Sequence, residues 1–254
     1  MRIVRIAHSG RAVYAAHQGD ELAILDDPYA RQPKLTGERI KLADAQLLAP
    51  VAAGTVFGMA HNTGARDREL PAQAFIKAAC SVIGPGSPIP IPSDIGRVDV
   101  EGELAVVIGR PARHLTTSCA LSCVLGYTVG NDVTARDLQL SDALWTTAKG
   151  RDGFTPLGPW IETDLDPDNA EIAVSINGVA LRPASTTDLA RGVVEVLVYL
   201  TSFLTLRPGD VVLTGAPGEC GPVHPGDSVQ ITIDAIGTIT NPVVTDPCHN
   251  IGAR

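Results

Sequence analysis

The chain has 254 residues, 44% of them hydrophobic and 19% charged, enough to bury a substantial core without disulfides or structural metals. Its formal net charge is -8 and no basic cluster is dense enough to neutralise several phosphates. A nucleic-acid partner is thereby excluded, while an anionic ligand held through a cation is not. Arg, Asp, Pro and Gly interrupt every apolar run, and no apolar stretch follows the opening Met-Arg-Ile-Val-Arg-Ile, so the expectation is a cytoplasmic protein without membrane span or signal peptide.

Glycine and proline number 25 and 19 and aromatics make up only 4%, a composition that predicts many short elements joined by tight turns rather than a helix bundle. The first 48 residues read as a small N-terminal β domain. Within it Arg11–His17 and Glu21–Leu25 flank Gly19-Asp20, a hairpin signal. A polar stretch around Arg31–Glu38 leads to Leu47-Leu48-Ala49-Pro50, which marks the boundary to a larger domain over 49–254.

Thr55–Ala60 is a short apolar run ending at His61, and residues 62–73 read as a loop. Val98–Gly109, rich in Val and Ile, reads as a strand. Ser118–Tyr127 carries apolar residues at Ala120, Cys123, Val124 and Tyr127, the spacing of a helix, followed by a strand over Tyr127–Val133. The clearest helix is Asp188–Leu204, with Ser185 and Asp188 resembling a capping box. Pro208-Gly209-Asp210 and Pro225-Gly226-Asp227 are turns, each preceding a strand, Val211–Thr214 and Val229–Ile233. The five cysteines, Cys80, Cys119, Cys123, Cys220 and Cys248, include one pair at i and i+4 without a second pair or histidines to complete a zinc site. They are read as small buried hydrophobes. These elements together predict a β-rich α+β fold with one or two packed helices.

The segment Val98-Asp99-Val100-Glu101-Gly102-Glu103-Leu104 carries the strongest chemical signal. Residues two apart in a strand share a face, which sets Glu101 and Glu103 roughly 6–7 Å apart at the mouth of a core strand. Two such carboxylates repel unless a hard divalent cation lies between them; the plain alternative is a solvated strand end. Asp132, after Asn131 at the end of another apolar strand, could complete a three-acid cage, or the pair could form an Asx turn. Lys149 lies in the glycine-rich run Ala148–Pro159, where an ammonium could stabilise negative charge on a metal-bound ligand, although spacing alone reads as a surface lysine. His61 opens a loop containing Arg66, Asp67, Arg68 and Glu69, and a His–carboxylate pair there would suit acid/base work; a lone His at a strand end is also commonly structural. His8, His17, His114, His224 and His249 show no usable pattern.

These motifs together resemble the fumarylacetoacetate hydrolase family. Val100–Gly109 is similar to its Glu-x-Glu-Leu-Ala-x-Val-Ile-Gly strand, and Gly126–Gln139 to its Gly-Tyr-x-x-x-Asn-Asp-x-[ST]-Ala-Arg-Asp-x-Gln segment. Lys149–Pro159 resembles the family's Lys…Asp-x-Phe-x-Pro-Leu-Gly-Pro loop, and the similarity continues through Leu206–Asp210 and Thr214–Pro217 to Asn241-Pro242. Several ordered motifs, spread over roughly residues 50–245, are far more specific than one short pattern.

The resemblance implies a rolled, mixed β-sheet with the site inside the roll, and a homodimer. It implies that Glu101, Glu103 and Asp132 bind Mg²⁺ or Mn²⁺ and that Lys149 faces a small 2-oxo or 2,4-dioxo acid. Arg136, Gln139 and Thr214 become candidate substrate-binding residues, with His61, Lys149, Asp67 and Glu69 as catalytic candidates. Members hydrolyse a carbon–carbon bond in a diketo acid, decarboxylate an oxo acid, or shift a double bond, each by way of an enolate.

Two departures stand out. Gly64 and Asp67 fall where many members carry the His and Glu of Asn-Tyr-x-x-His-x-x-Glu, and His61 lies nearer the Asn-His of the homoprotocatechuate-pathway decarboxylase/isomerase members. The family's Gly-Thr-Pro is here Gly215-Ala216-Pro217. A catalytically silent, metal-bound protein that binds an oxo acid or serves as a partner subunit is the alternative these departures raise.

Overall fold

The computed structural model describes residues 1–52 and 54–246. Cys248 and His249 lie outside the described residues. A twelve-stranded sheet forms the backbone of the fold. Its main path runs Leu35–Lys41, Glu21–Leu25, Arg11–Gln18, Arg2–His8, Thr155–Glu162, Val124–Asn131, Gly102–Ile108, Val211–Leu213, Val56–Ala60 and Gln73–Lys77. Neighbours on this path are antiparallel except Val211–Leu213 and Val56–Ala60, which run parallel. The N-terminal strands belong to the same sheet, because Arg2 and Ile3 pair with Glu162 and Ile161.

A six-stranded sheet is centred on Glu171–Ile176, Ser228–Ile233 and Gly237–Thr245. Its Ile172, Val174, Ile231 and Ile233 share one core with Leu104, Val106 and Ile108. Ala105 and Val107, one residue out of phase, pack instead with Ile3, Leu157, Ile161 and Leu213. The Gly102–Ile108 strand is therefore buried on both faces, which explains its nearly continuous apolar run. A third, three-stranded sheet joins Thr134–Ala135, Val98–Val100 and Gly221–Val223 beside the site.

Helix and strand assignments differ from expectation in three places. Ser118–Tyr127 is not a helix. It holds one 3₁₀ turn, Ala120–Cys123, and then enters the strand Val124–Asn131, whose Gly and β-branched residues pair along the whole of Gly102–Ile108. Cys123 is buried there, but Cys119 and Cys80 are exposed, so only some cysteines act as core hydrophobes. Ser185 and Asp188 do form a capping box, yet it caps the 3₁₀ turn Thr186–Asp188, and the long helix begins later, spanning Val193–Phe203. The loop over 62–73 contains a 3₁₀ turn, Ala65–Glu69, and gives way to the edge strand Gln73–Lys77. Among the described residues no helix is long and apolar enough to cross a membrane.

Candidate active site

A cavity of about 890 Å³, lined by Gln46, Leu47, Gly84, Trp160 and Pro242 among others, has no ionisable side chain on its walls. Chemistry concentrates in a cavity of about 210 Å³ lined by Glu101, Glu103, Asp132, Lys149, His61 and Asp67, among others. Glu101 occupies the break between Val98–Val100 and Gly102–Ile108, and Glu103 lies just inside the second strand. Gly102 between them faces the six-stranded sheet so closely that a Cβ would come within 2.6 Å of a Val174 methyl. That contact holds the strand entrance in place from the side away from the two acids.

Asp132 is positioned by the neighbouring strand. Gly102 is opposite Asn131 in register, the Asp132 amide donates to the Glu101 carbonyl at 2.9 Å, and the Glu101 amide donates to Asn131 Oδ1 at 3.1 Å. Asn131 thus ties two strands together and does not form a local Asx turn. The three carboxylates are buried, with oxygens all within 4.8 Å of one another.

Cations surround this cage unevenly. Lys149 Nζ donates to Asp132 Oδ2 at 2.6 Å, to Glu101 Oε2 at 3.0 Å and to Thr134 Oγ1 at 2.6 Å. Its ammonium also lies 4.9 Å from the centre of the Phe75 ring, a cation–π distance. Lys77, fully buried at the end of its edge strand, pairs with Asp132 Oδ1 and donates to the Phe154 carbonyl at 2.8 Å. Arg136 bridges Glu101 Oε1 at 2.6 Å and Asp99 Oδ2 at 2.9 Å, and Arg97 braces Asp99 from the other side. Glu103 has no cationic partner within 4 Å among the described residues. One of its oxygens accepts from the Gly215 amide at 2.6 Å.

This asymmetry sets the titration behaviour. Burial, reinforced by the charges of Asp132 and Glu101, raises the Glu103 pKa well above the ordinary carboxylate value. Burial also works to raise Asp132, but the ammoniums of Lys149 and Lys77 outweigh it and hold that carboxyl below its usual range. Burial opposes the charge on Lys149 too, and Asp132 and Glu101 nonetheless push its pKa above the ordinary lysine value. Lys77 is pulled below the ordinary lysine value by burial, which the neighbouring Asp132 carboxylate only partly offsets. An all-oxygen donor set with one buried carboxylate lacking a positive partner fits a hard divalent cation such as Mg²⁺ or Mn²⁺.

His61 is on the cavity rim in the left-handed region, φ 52°, with its ring 6.0 Å from that of Trp145. The loop is pinned by Asn62, which is fully buried. Its amide nitrogen donates to the carbonyls of Thr214 at 2.6 Å and Arg191 at 2.9 Å, and its oxygen accepts from the Arg191 amide at 2.7 Å. Asp67 faces the same cavity, held ionised first by the Thr63 amide and then by the Thr63 hydroxyl. Gln139 lines the cavity and accepts from Arg136 Nη1 at 3.0 Å.

Two sequence candidates are not brought to the cavity. Glu69 is exposed at the far end of the Ala65–Glu69 turn. Thr214 is fully buried, and its hydroxyl donates to the Leu104 carbonyl at 2.9 Å rather than facing a ligand; Ala216 lines the cavity instead. Conversely, Lys77, Asn62, Phe75 and Trp145 shape the site although no sequence motif points to them, and Thr134, the hydroxyl position of the Asn-Asp-x-[ST] motif, joins them. Lys77 gives no signal in sequence because only the alternation of the strand Gln73–Lys77 puts Phe75 and Lys77 inside.

Residues 48–244 match the family described as "Fumarylacetoacetate (FAA) hydrolase C-terminal", and residues 1–50 match "Rv2993c-like, N-terminal". Protein Rv2993c of Mycobacterium tuberculosis is 41% identical over 261 residues, covering 96% of this chain and 98% of its own. The structure of a 5-carboxymethyl-2-hydroxymuconate delta-isomerase from Mycobacterium smegmatis superposes with a TM-score of 0.92 at 41% identity, covering 97% of this chain and all of that one (100%). A maleylpyruvate hydrolase from Sphingobium sp. SYK-6, solved with manganese(II) and pyruvate, superposes with a TM-score of 0.82 at 26% identity, over 97% and 100% of the two chains. With its rolled β-sheets, its ordered motifs and these matches, the chain belongs to the fumarylacetoacetate hydrolase family of enzymes.

Proposed function

We propose that this chain is a Mg²⁺- or Mn²⁺-dependent enzyme that acts on a small 2-oxo or 2,4-dioxo acid through an enolate. The reaction would be hydrolysis of a carbon–carbon bond, decarboxylation or isomerisation. The observation that carries the reading is the buried cage of Glu101, Glu103 and Asp132 with Lys149 at its edge. The manganese- and pyruvate-bound maleylpyruvate hydrolase relative supports the same ion class and ligand class.

Glu101, Glu103 and Asp132 would hold the ion, which when bound supplies Lewis-acid polarisation of the oxo group. Arg136, on the cavity wall, and the buried Lys77 keep Glu101 and Asp132 in place. Lys149 stays protonated at neutral pH, so it donates hydrogen bonds to an oxygen gaining negative charge and does not serve as a base. His61 and Asp67, which also line the cavity, would accept a proton from substrate or water and return it. The site residues are carried by more than one strand and loop, so the fold sets their spacing more rigidly than any single segment would.

The test is ultraviolet absorbance of a panel of 2,4-dioxo acids, oxaloacetate and unsaturated 2-hydroxy dioic acids, with Mg²⁺ or with EDTA. Metal-dependent loss or shift of absorbance for one compound is expected and names the reaction type. Flat traces for the whole panel with Mg²⁺ present would count against the reading.

A further inference from the structure

Beside the catalytic cavity, past Trp145, lies a second one of about 350 Å³. Ala60, Phe75 and Trp145 line both, so the two adjoin across shared walls. The remaining walls of the second chamber include Gln73, Ala74, Ile76, Leu144 and Thr146, and none of its lining side chains is ionisable. Apart from the Trp145 indole, Gln73 and Thr146 supply its only polar side chains.

Four cations around the site are already engaged. Lys149 and Arg136 are bound to Asp132, Glu101 and Asp99. Arg68 pairs with Glu195 and donates to the Ala190 carbonyl, and Arg191 donates to the carbonyls of His61, Asp67 and Leu70. A carboxylate in the second chamber would find no positive side chain on its walls. An apolar group would gain from contact with Ile76, Leu144 and the rings of Phe75 and Trp145.

We propose that this chamber receives the far end of the substrate and that this end is uncharged and apolar. The preferred substrate is then an oxo acid with a single carboxylate, held at the metal cage, and not a diacid. The assignment of the head group rests on the function proposed above; the assignment of the tail rests on the chamber.

Two unreactive analogues that share the oxo-acid head separate the questions: N-phenyloxamate and N-(carboxymethyl)oxamate. Each is titrated into the full chain with Mg²⁺, following tryptophan fluorescence, since Trp145 is one of two tryptophans in the chain. N-phenyloxamate is expected to bind roughly tenfold or more tightly than the carboxymethyl compound. Leu144→Lys and Ile76→Lys, at positions 77% and 58% exposed and so compatible with folding, should shrink or reverse that ratio. Equal binding, tighter binding of the carboxymethyl compound, no binding of either, or a ratio untouched by both lysine variants would overturn the proposal. If the preference holds while no oxo acid is turned over, the chamber assignment stands and the catalytic reading falls.

Discussion

Glu103 is the residue whose surroundings ask most plainly for a cation. Its carboxyl is buried beside Asp132 and Glu101 with only the Gly215 amide for a partner, and its pKa is raised. Without a metal the folded chain therefore holds this proton to a higher pH than the unfolded chain does. The resulting stabilisation is fully present below the ordinary glutamate value and is lost as pH rises through the raised one. Melting followed by calorimetry should show that decline in EDTA and lose it in saturating Mg²⁺, which displaces the proton on binding. Matching pH profiles with and without Mg²⁺ would show that the ion does not reach Glu103.

His61 offers a second test at this scale. Asn tolerates the left-handed backbone that His61 adopts, so His61→Asn removes the imidazole with little strain. Turnover should fall by about 10²-fold or more while Mg²⁺ binding is kept. Unchanged turnover would transfer the proton-handling role to Asp67. The acids of the cage were legible in the sequence because two carboxylates at the mouth of an apolar strand repel each other and lose water unless a cation joins them. Thr214 misled because a hydroxyl next to the Gly215 turn looks available, and only the fold shows its proton committed to Leu104.

At the scale of elements, the geometry of the cage depends on how Gly102–Ile108 is clamped. Its pairing with Val124–Asn131 brings Asp132 alongside Glu101, and the six-stranded sheet presses on Gly102. Gly102→Ala would place a methyl 2.6 Å from Val174 and 3.1 Å from Ile172 and Ile231. Overpacking of this kind costs about 1–3 kcal/mol, and a strand displaced to relieve it carries the acids on either side with it. Urea denaturation should report the lost stability and a metal titration a weakened site in the same variant. A variant as stable as the parent with full metal affinity would show that the strand entrance is not clamped in this way. The strand itself was readable from its Val and Ile content. The segment before Val124–Asn131 was not, because the spacing of Ala120, Cys123, Val124 and Tyr127 suits a helix. The cross-strand pairing that decides the matter lies outside any local window.

Over the whole molecule, the site gathers residues from His61 to Ala216, and the fold brings them together by long-range pairing. A β-rich chain with tight Pro-Gly-Asp turns could be read from composition and periodicity. The way Arg2–His8 joins the large sheet through Thr155–Glu162 could not, because that partner lies more than 150 residues away in the chain. Lys77 was hidden for the same reason: its value comes from Asp132, 55 positions along the chain.

Mn²⁺ titration of the full chain followed by electron paramagnetic resonance tests most directly whether Glu101, Glu103 and Asp132 form one divalent-ion site. The account predicts one tightly bound ion per chain, with affinity lowered roughly tenfold or more in Glu103→Gln as one ligand charge is lost. Absence of a bound ion, or equal affinity in the parent and in Glu103→Gln, would contradict it.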